Sequence, residues 1–158
     1  MAASGTQDDP IPRRAARILL IDAAGRVLMF RGTDPGRPGS RYWFTPGGGL
    51  DPDESLVEGA IRELREETGL EVTPAELGEP VWREDVVYPY DNRWYRQEQD
   101  FFLVRVQSWE VTMAGLDAEE RRSIDRFRWW PLADLEAPID KIYPPDLAER
   151  VRSRVVGG

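Results

Sequence analysis

The sequence predicts an α/β protein of the α+β type, a mixed β-sheet sandwiched between helices. Three observations carry this. Two short apolar runs near the N-terminus are joined by a turn, one amphipathic helix is signalled at both of its ends, and later strand-like runs interleave with shorter helical stretches. Hairpins among alternating strands and helices favour a mixed sheet over a purely parallel one. A chain of 158 residues, 41% of them hydrophobic, is long enough for one sizeable core and too short for two ordinary domains. A single domain over 13–158 is expected, preceded by a disordered tail over 1–12 that carries Asp8 and Asp9 and has neither a basic start nor an apolar stretch.

In chain order, Ala16 to Ile21 and Val27 to Phe30 flank the turn-like Asp22-Ala-Ala-Gly25 and predict an antiparallel hairpin. Arg31 to Arg41 is rich in Gly and Pro and predicts a surface loop. Tyr42 to Thr45 predicts a short strand before Pro46 and the run Gly47 to Gly49. The clearest helix is predicted over Pro52 to Thr68: Asp51 can cap it, Pro52 suits its first turn, Glu54 sits where a capping box wants a carboxylate, and Gly69 is a natural residue after the last turn. Leu56, Val57, Ala60, Ile61 and Leu64 form its apolar stripe. Pro80 to Tyr88 and Trp94 to Val106 predict strands joined through Tyr88-Pro-Tyr-Asp-Asn92, and Asp125 to Trp130 a last strand whose Trp129 and Trp130 must face opposite sides. Ala118 to Ser123 and Pro145 to Val155 predict the remaining helices.

Composition narrows the chemistry. There is no cysteine and no histidine, which removes disulfides, thiolate nucleophiles, Cys-based zinc sites and the commonest general base. Carboxylates, hydroxyls and metals remain. A net charge of −8 argues against a protein that holds duplex nucleic acid by backbone neutralisation, but leaves room for a local site that takes an anionic small molecule. No apolar run approaches the ~20 residues that span a bilayer, so no membrane partner and a cytoplasmic location are expected.

Glu63, Glu66 and Glu67 stand at i, i+3 and i+4 and share one helix face. Like charges at these spacings cost ~0.2–0.5 kcal/mol per pair, and the carbonyl end of a helix disfavours anions. Two readings are open at this point. Either Glu58, Arg62 and Arg65 balance a solvated face, or a hard divalent cation with oxygen ligands turns the repulsion into binding. The glycines before the helix allow close backbone approach to a metal or phosphate, although a triple glycine alone is more often a plain turn.

Gly48 to Leu70, GGLDPDESLVEGAIRELREETGL, resembles a complete Nudix box: Gly48, Glu54, Arg62, Glu63, Leu64, Glu66, Glu67, Gly69 and Leu70 occupy its fixed positions. Trp43-Phe-Thr-Pro-Gly47 before it and Phe127-Arg-Trp-Trp-Pro131 after it are also similar to the family. The resemblance implies a MutT-like Nudix fold and Mg²⁺-dependent hydrolysis of a diphosphate linkage in a nucleoside triphosphate or a nucleoside diphosphate linked to another group, with Mn²⁺ as a substitute. It further implies that Glu66 and Glu67 are the principal metal ligands, that Glu63 completes the cluster, and that the Gly47 carbonyl is a further ligand. Arg62 would orient Glu63, and Glu54 would serve helix architecture.

Relatives draw the water-activating base from the box or from a later element, so Glu63 and the strand residue Glu98 both stand as candidates. Arg31, Arg37 and Arg41 around the loop before the box are candidate phosphate contacts, and Trp43 a candidate base-stacking residue. The expected partner is a small nucleotide-like substrate, with monomer and homodimer both open. Two alternatives are carried: a non-catalytic nucleotide-sensing module on the same fold, and removal of pyrophosphate from RNA 5′ ends, which calls for a basic groove this acidic chain does not advertise. Tyr88, eighteen residues beyond Leu70 (88 − 70), resembles the tyrosine placement of dinucleoside polyphosphate hydrolases, whereas the place of the proline found in many ADP-ribose-directed members is held by Val86.

Overall fold

The computed structural model describes residues 5–155. Its scaffold is strand β1 (Ile11–Ile21), which runs parallel to β6 (Arg93–Arg105) along its whole length, from Ile11↔Tyr95 to Ile21↔Arg105. The other edge of β1 is shared. The short triglycine strand β4 (Gly47–Gly49) pairs with Ala15 to Arg17, and β2 (Val27–Gly32) takes over at Ile21↔Val27. β2 in turn carries β3 (Tyr42–Phe44) and β7 (Ile124–Trp130), both antiparallel to it, and β3 carries the parallel β8 (Lys141–Tyr143). β5 (Trp82–Tyr90) closes the opposite edge as a hairpin with β6. The sheet is therefore mixed, as the sequence predicts.

Alternation along the central strands divides the interior into two cores. Ile18, Leu20, Leu28, Phe30 and Phe102 face helix α1 (Leu56–Thr68), which contributes Ala60 and Leu64. Leu19, Ile21, Met29, Trp43 and Phe101 face α4 (Leu132–Glu136) and α5 (Leu147–Val155), which contribute Leu135, Leu147 and Val151. Each of these larger side chains contributes about 1.5–3 kcal/mol on burial. Helices cover both faces of the sheet. Trp130 is buried in the second core while Trp129 packs against the first, so the adjacent tryptophans do point to opposite sides.

Local signals account for most boundaries. The β5–β6 turn tightens to Asp91 and Asn92, at φ 50° and 65°, the left-handed pair that matches the twist of a hairpin. Both strands therefore run further into the expected turn. Helix α1 starts later than the sequence predicts. Ser55, not Asp51, is its cap: the Ser55 hydroxyl accepts from the Glu58 amide at 3.1 Å, and the Glu58 carboxylate accepts from the Ser55 amide at 3.1 Å. Pro52 and Asp53 form a separate turn ahead of it. Gly69, at φ 81°, closes the helix as expected, its amide donating to the Arg65 carbonyl. Two short helices that the sequence reading did not single out, α2 (Pro74–Leu77) and α4, complete the connections, and α3 (Ala118–Ser123) spans its expected residues.

The stretch 1–12, expected as a tail, lies outside the described residues over 1–4. Beyond them Gly5 and Asp9 close a turn at 2.8 Å, the Trp94 amide donates to the Gly5 carbonyl at 2.8 Å, and Ile11 and Pro12 already belong to β1. None of the helices among the described residues is long and apolar enough to cross a membrane.

Candidate active site

The site forms where the second half of α1 passes over the triglycine strand. Glu63 and Glu67, one helical turn apart, lie on the inward face of α1 beside Ala60 and Leu64, and both are buried, Glu67 at 1% exposure. Glu67 Oε1 accepts from the Gly47 amide at 2.6 Å. Glu63 lies across Gly48, where a β-carbon would come within 2.8 Å of Oε1. The close approach at Gly48 is to the far end of a carboxylate side chain and not a matter of backbone angle. On the strand's other side a β-carbon at Gly49 would come within 2.7 Å of the Arg13 guanidinium, so charged groups press on the strand from both faces.

Arg62 organises the outer rim of this cluster. Its guanidinium donates to Glu54 at 2.6 and 2.8 Å, to the Gly49 carbonyl at 3.2 Å, and to Glu63 Oε1 and Glu66 Oε2 at 3.1 Å each. The bond to Glu54 raises the pKa of Arg62 and holds the Glu54 carboxyl below its ordinary range. Glu54 thus ties the loop before α1 to the helix, in line with an architectural part. Glu66 sits at the rim, its side chain 31% exposed.

A third buried-side carboxylate arrives from far along the chain. Glu120, fixed in α3 by a capping box with Asp117, brings its side chain to Glu63 and Glu67, and oxygens of the three lie within 4.8 Å of one another. Burial pushes the Glu63 carboxyl up to about 7 against the pull of Arg62, lifts Glu67 well above the ordinary range with help from Glu63, and raises Glu120. Glu63 Oε2 is buried without a hydrogen-bond partner. An orphaned carboxylate oxygen among converging carboxylates fits a cation: the donor set is all oxygen, which suits a hard divalent ion.

The remaining expected site residues lie as follows. The Gly47 carbonyl accepts from Arg17 Nη1 at 3.1 Å. Glu98 projects from β6 with its side chain 47% exposed and donated to by Arg83 at 3.2 Å, outside the carboxylate group. Arg31 is held by a two-point contact with Asp125 at 2.9 and 2.5 Å. Trp43 is 5% exposed in the second core and donates its indole N–H to Asp140 at 3.0 Å. Arg41 is exposed, and Arg37 lies in the loop docked near Asn92. The structure thus brings Arg62, Glu63, Glu66 and Glu67 together and adds Glu120, while Glu98, Arg31, Arg41 and Trp43 stand apart. Arg17 also went unread. The available signal was a lone arginine inside the otherwise apolar run Ala15 to Ile21.

Comparison with known proteins identifies the family and the fold. A family model of the NUDIX domain matches residues 11–149. An RNA pyrophosphohydrolase of Acidiphilium cryptum is 35% identical over 125 residues, covering 75% of this chain and 74% of that one. An RNA pyrophosphohydrolase of Gluconacetobacter diazotrophicus is 31% identical over 138 residues, covering 78% and 79%. Among solved structures, a MutT protein from Methanosarcina mazei superposes with a TM-score of 0.67 at 22% identity, over 92% of this chain and 96% of that one. An Ap4A hydrolase from C. elegans superposes with a TM-score of 0.64 at 19% identity, over 92% and 99%. At these identities the structures show the shared fold, whereas the family model and the sequence relatives show descent: the chain belongs to the Nudix family of hydrolases that act on phosphorus anhydrides.

Proposed function

We propose that the chain hydrolyses a diphosphate linkage in a nucleotide-like substrate at the Glu63, Glu67 and Glu120 cluster, with Mg²⁺ as the resident ion. The observation that carries this is the convergence of three carboxylates within 4.8 Å around a buried, unpartnered Glu63 Oε2. A diphosphate repels nucleophiles through its own charge, and a divalent ion held here would supply both neutralisation and a more acidic water.

The chain's own groups have distinct parts in this reading. Glu67 is aimed by the Gly47 amide, which leaves its other oxygen for the ion. Glu120 closes the opposite side of the cluster. Glu66 joins from the rim, and the second lone pair of the Gly47 carbonyl is available as a further ligand. Arg62 holds Oε1 of Glu63, so Oε2 would hold the ion through a water and accept that water's proton. Glu98, paired with Arg83, is assigned no part in proton transfer.

Two substrate classes compete. The names of the sequence relatives favour RNA carrying a 5′-triphosphate; the acidity of the chain favours a free nucleotide. The deciding experiment incubates the protein and Mg²⁺ with nucleoside triphosphates, dinucleoside polyphosphates, ADP-ribose and 5′-triphosphorylated RNA, and measures phosphate and pyrophosphate release. No release from any of them, with tight binding of one, would leave a nucleotide-sensing module instead.

A further inference from the structure

Arg17 is a cation with no carboxylate in direct contact among the described residues. Its position on β1, paired with Gly47, places it one strand away from the carboxylates. Among the described residues it forms no ion pair. Its partners are two neutral carbonyls, Thr45 at 3.4 Å and Gly47 at 3.1 Å, both reached by Nη1. The guanidinium also lies 5.8 Å from the centre of the Phe44 ring. Burial pulls its pKa down, partly offset by the electrostatic presence of Tyr88 and Glu67. Holding a partly desolvated guanidinium with no anion in contact costs the fold stability, and a group so placed is stabilised when an anion pairs with it directly. A guanidinium has five N–H donors, and Nε and Nη2 of Arg17 donate to no group among the described residues.

The surroundings define what that anion is. The Gly47 peptide links the two charges directly: its N–H donates to Glu67, and its carbonyl accepts from Arg17. An anion at Arg17 is therefore a neighbour of whatever the carboxylates hold. Beyond Phe44 the rings continue, with Tyr42 5.7 Å from Phe44 and the half-exposed Tyr143 5.8 Å from Tyr42. This aromatic row offers flat apolar surface on the far side of the arginine.

We propose that Arg17 is a substrate-binding residue, its free guanidinium edge holding the phosphate that lies between the scissile linkage and a nucleoside seated on the row Phe44, Tyr42 and Tyr143. This rests on the diphosphate-hydrolase reading above and deepens it. The arginine thereby selects substrates with at least two adjacent phosphates, one for the carboxylate-bound ion and one for itself. Its geometry suits a phosphate, whose oxygens accept the paired N–H bonds of a guanidinium.

The test compares Arg17→Gln, which keeps a donor for the Gly47 carbonyl without the charge, with Arg17→Lys, which keeps the charge. Binding of inorganic pyrophosphate is measured by calorimetry with Ca²⁺ present, alongside binding of Ca²⁺ alone. The expected result is a loss of pyrophosphate affinity of about tenfold or more in Arg17→Gln, a smaller loss in Arg17→Lys, and Ca²⁺ binding within about threefold of the parent in both. In turnover the same loss should appear in kcat/KM for a nucleoside triphosphate. Equal pyrophosphate affinity in Arg17→Gln and parent would overturn the assignment, as would parallel losses of pyrophosphate and Ca²⁺ binding, which mark a structural prop for the Gly47 carbonyl. If the parent itself binds no pyrophosphate and hydrolyses no diphosphate, the diphosphate-hydrolase reading fails as well.

Discussion

The carboxylate of Glu63 rests on the backbone of Gly48 so closely that a single β-carbon at Gly48 would come within 2.8 Å of Oε1. The contact makes Gly48 a gauge of the site. In Gly48→Ala the far end of the Glu63 side chain must move, which costs the fold little and displaces one wall of the cluster. Turnover with Mg²⁺ is expected to fall about tenfold or more, while the melting temperature shifts by no more than the about 2–4 °C that ~1 kcal/mol represents in a domain of this size. Full activity in Gly48→Ala would show that the position of Glu63 does not matter.

Glu67→Gln replaces a buried carboxylate by a neutral group of nearly the same shape that can still accept from the Gly47 amide. The fold should be unaffected and turnover reduced by about a hundredfold or more, with weaker Mg²⁺ binding. In chelator at neutral pH the variant should melt higher than the parent, because the fold no longer has to bury an ionisable carboxyl, next to that of Glu63, that ionises freely in the unfolded chain. An unchanged or lower melting temperature in chelator would mean that the pair is already ionised and balanced by Arg62.

Much of this site was legible because it is local. The spacing of Glu63, Glu66 and Glu67 on one helix, the glycines that admit them and the ion pair of Arg62 with Glu63 all lie within one stretch of sequence, where helical periodicity fixes relative position. The helix start was misplaced because two capping patterns overlap: Glu54 does accept from the Asp51 amide at 3.0 Å, but Ser55 and Glu58 form the box that begins the helix. Glu120 and Arg17 were illegible for a different reason. Each reaches the site through tertiary pairing, Glu120 from a six-residue helix 53 positions beyond Glu67 (120 − 67), Arg17 through the β1–β4 register, and no spacing rule connects them to the box.

Glu120 and Glu98 make a paired comparison, since both are glutamates downstream of the box. Glu120 meets Glu63 and Glu67, whereas Glu98 is half-exposed beside Arg83. Glu120→Gln is expected to weaken Mg²⁺ binding and lower kcat/KM by about tenfold or more. Glu98→Gln should stay within about twofold of the parent, because an exposed ion pair contributes little. The reverse outcome in metal titrations and steady-state kinetics would assign the downstream carboxylate of the site to Glu98 on β6 and not to Glu120.

The pH dependence of the metal-free protein follows from the direction of these shifts. Burial raises the Glu63 carboxyl from 4.5 to about 7 and moves Glu67 the same way. Between about pH 4.5 and 7 the folded state therefore keeps a proton that the unfolded chain has released. Stability must fall as pH rises through that window, because the folded state binds more protons. Glu54 and Asp125, held below their ordinary range by Arg62 and Arg31, act in the opposite sense. Their stabilisation, however, is complete once the pH exceeds the ordinary carboxylate value, so it does not vary across the same window. In chelator the melting temperature should drop from about pH 5 to about pH 7.5, by roughly 2–4 °C for each kcal/mol of stability lost. Saturating Mg²⁺ should abolish the slope, since an ion bound by ionised carboxylates favours the deprotonated state. Glu63→Gln should make the chelator curve shallower, with the part due to the buried Glu67 remaining. A melting temperature that rises with pH in chelator, or a slope that Mg²⁺ leaves untouched, would show that Glu63 and Glu67 are ionised and satisfied without an ion.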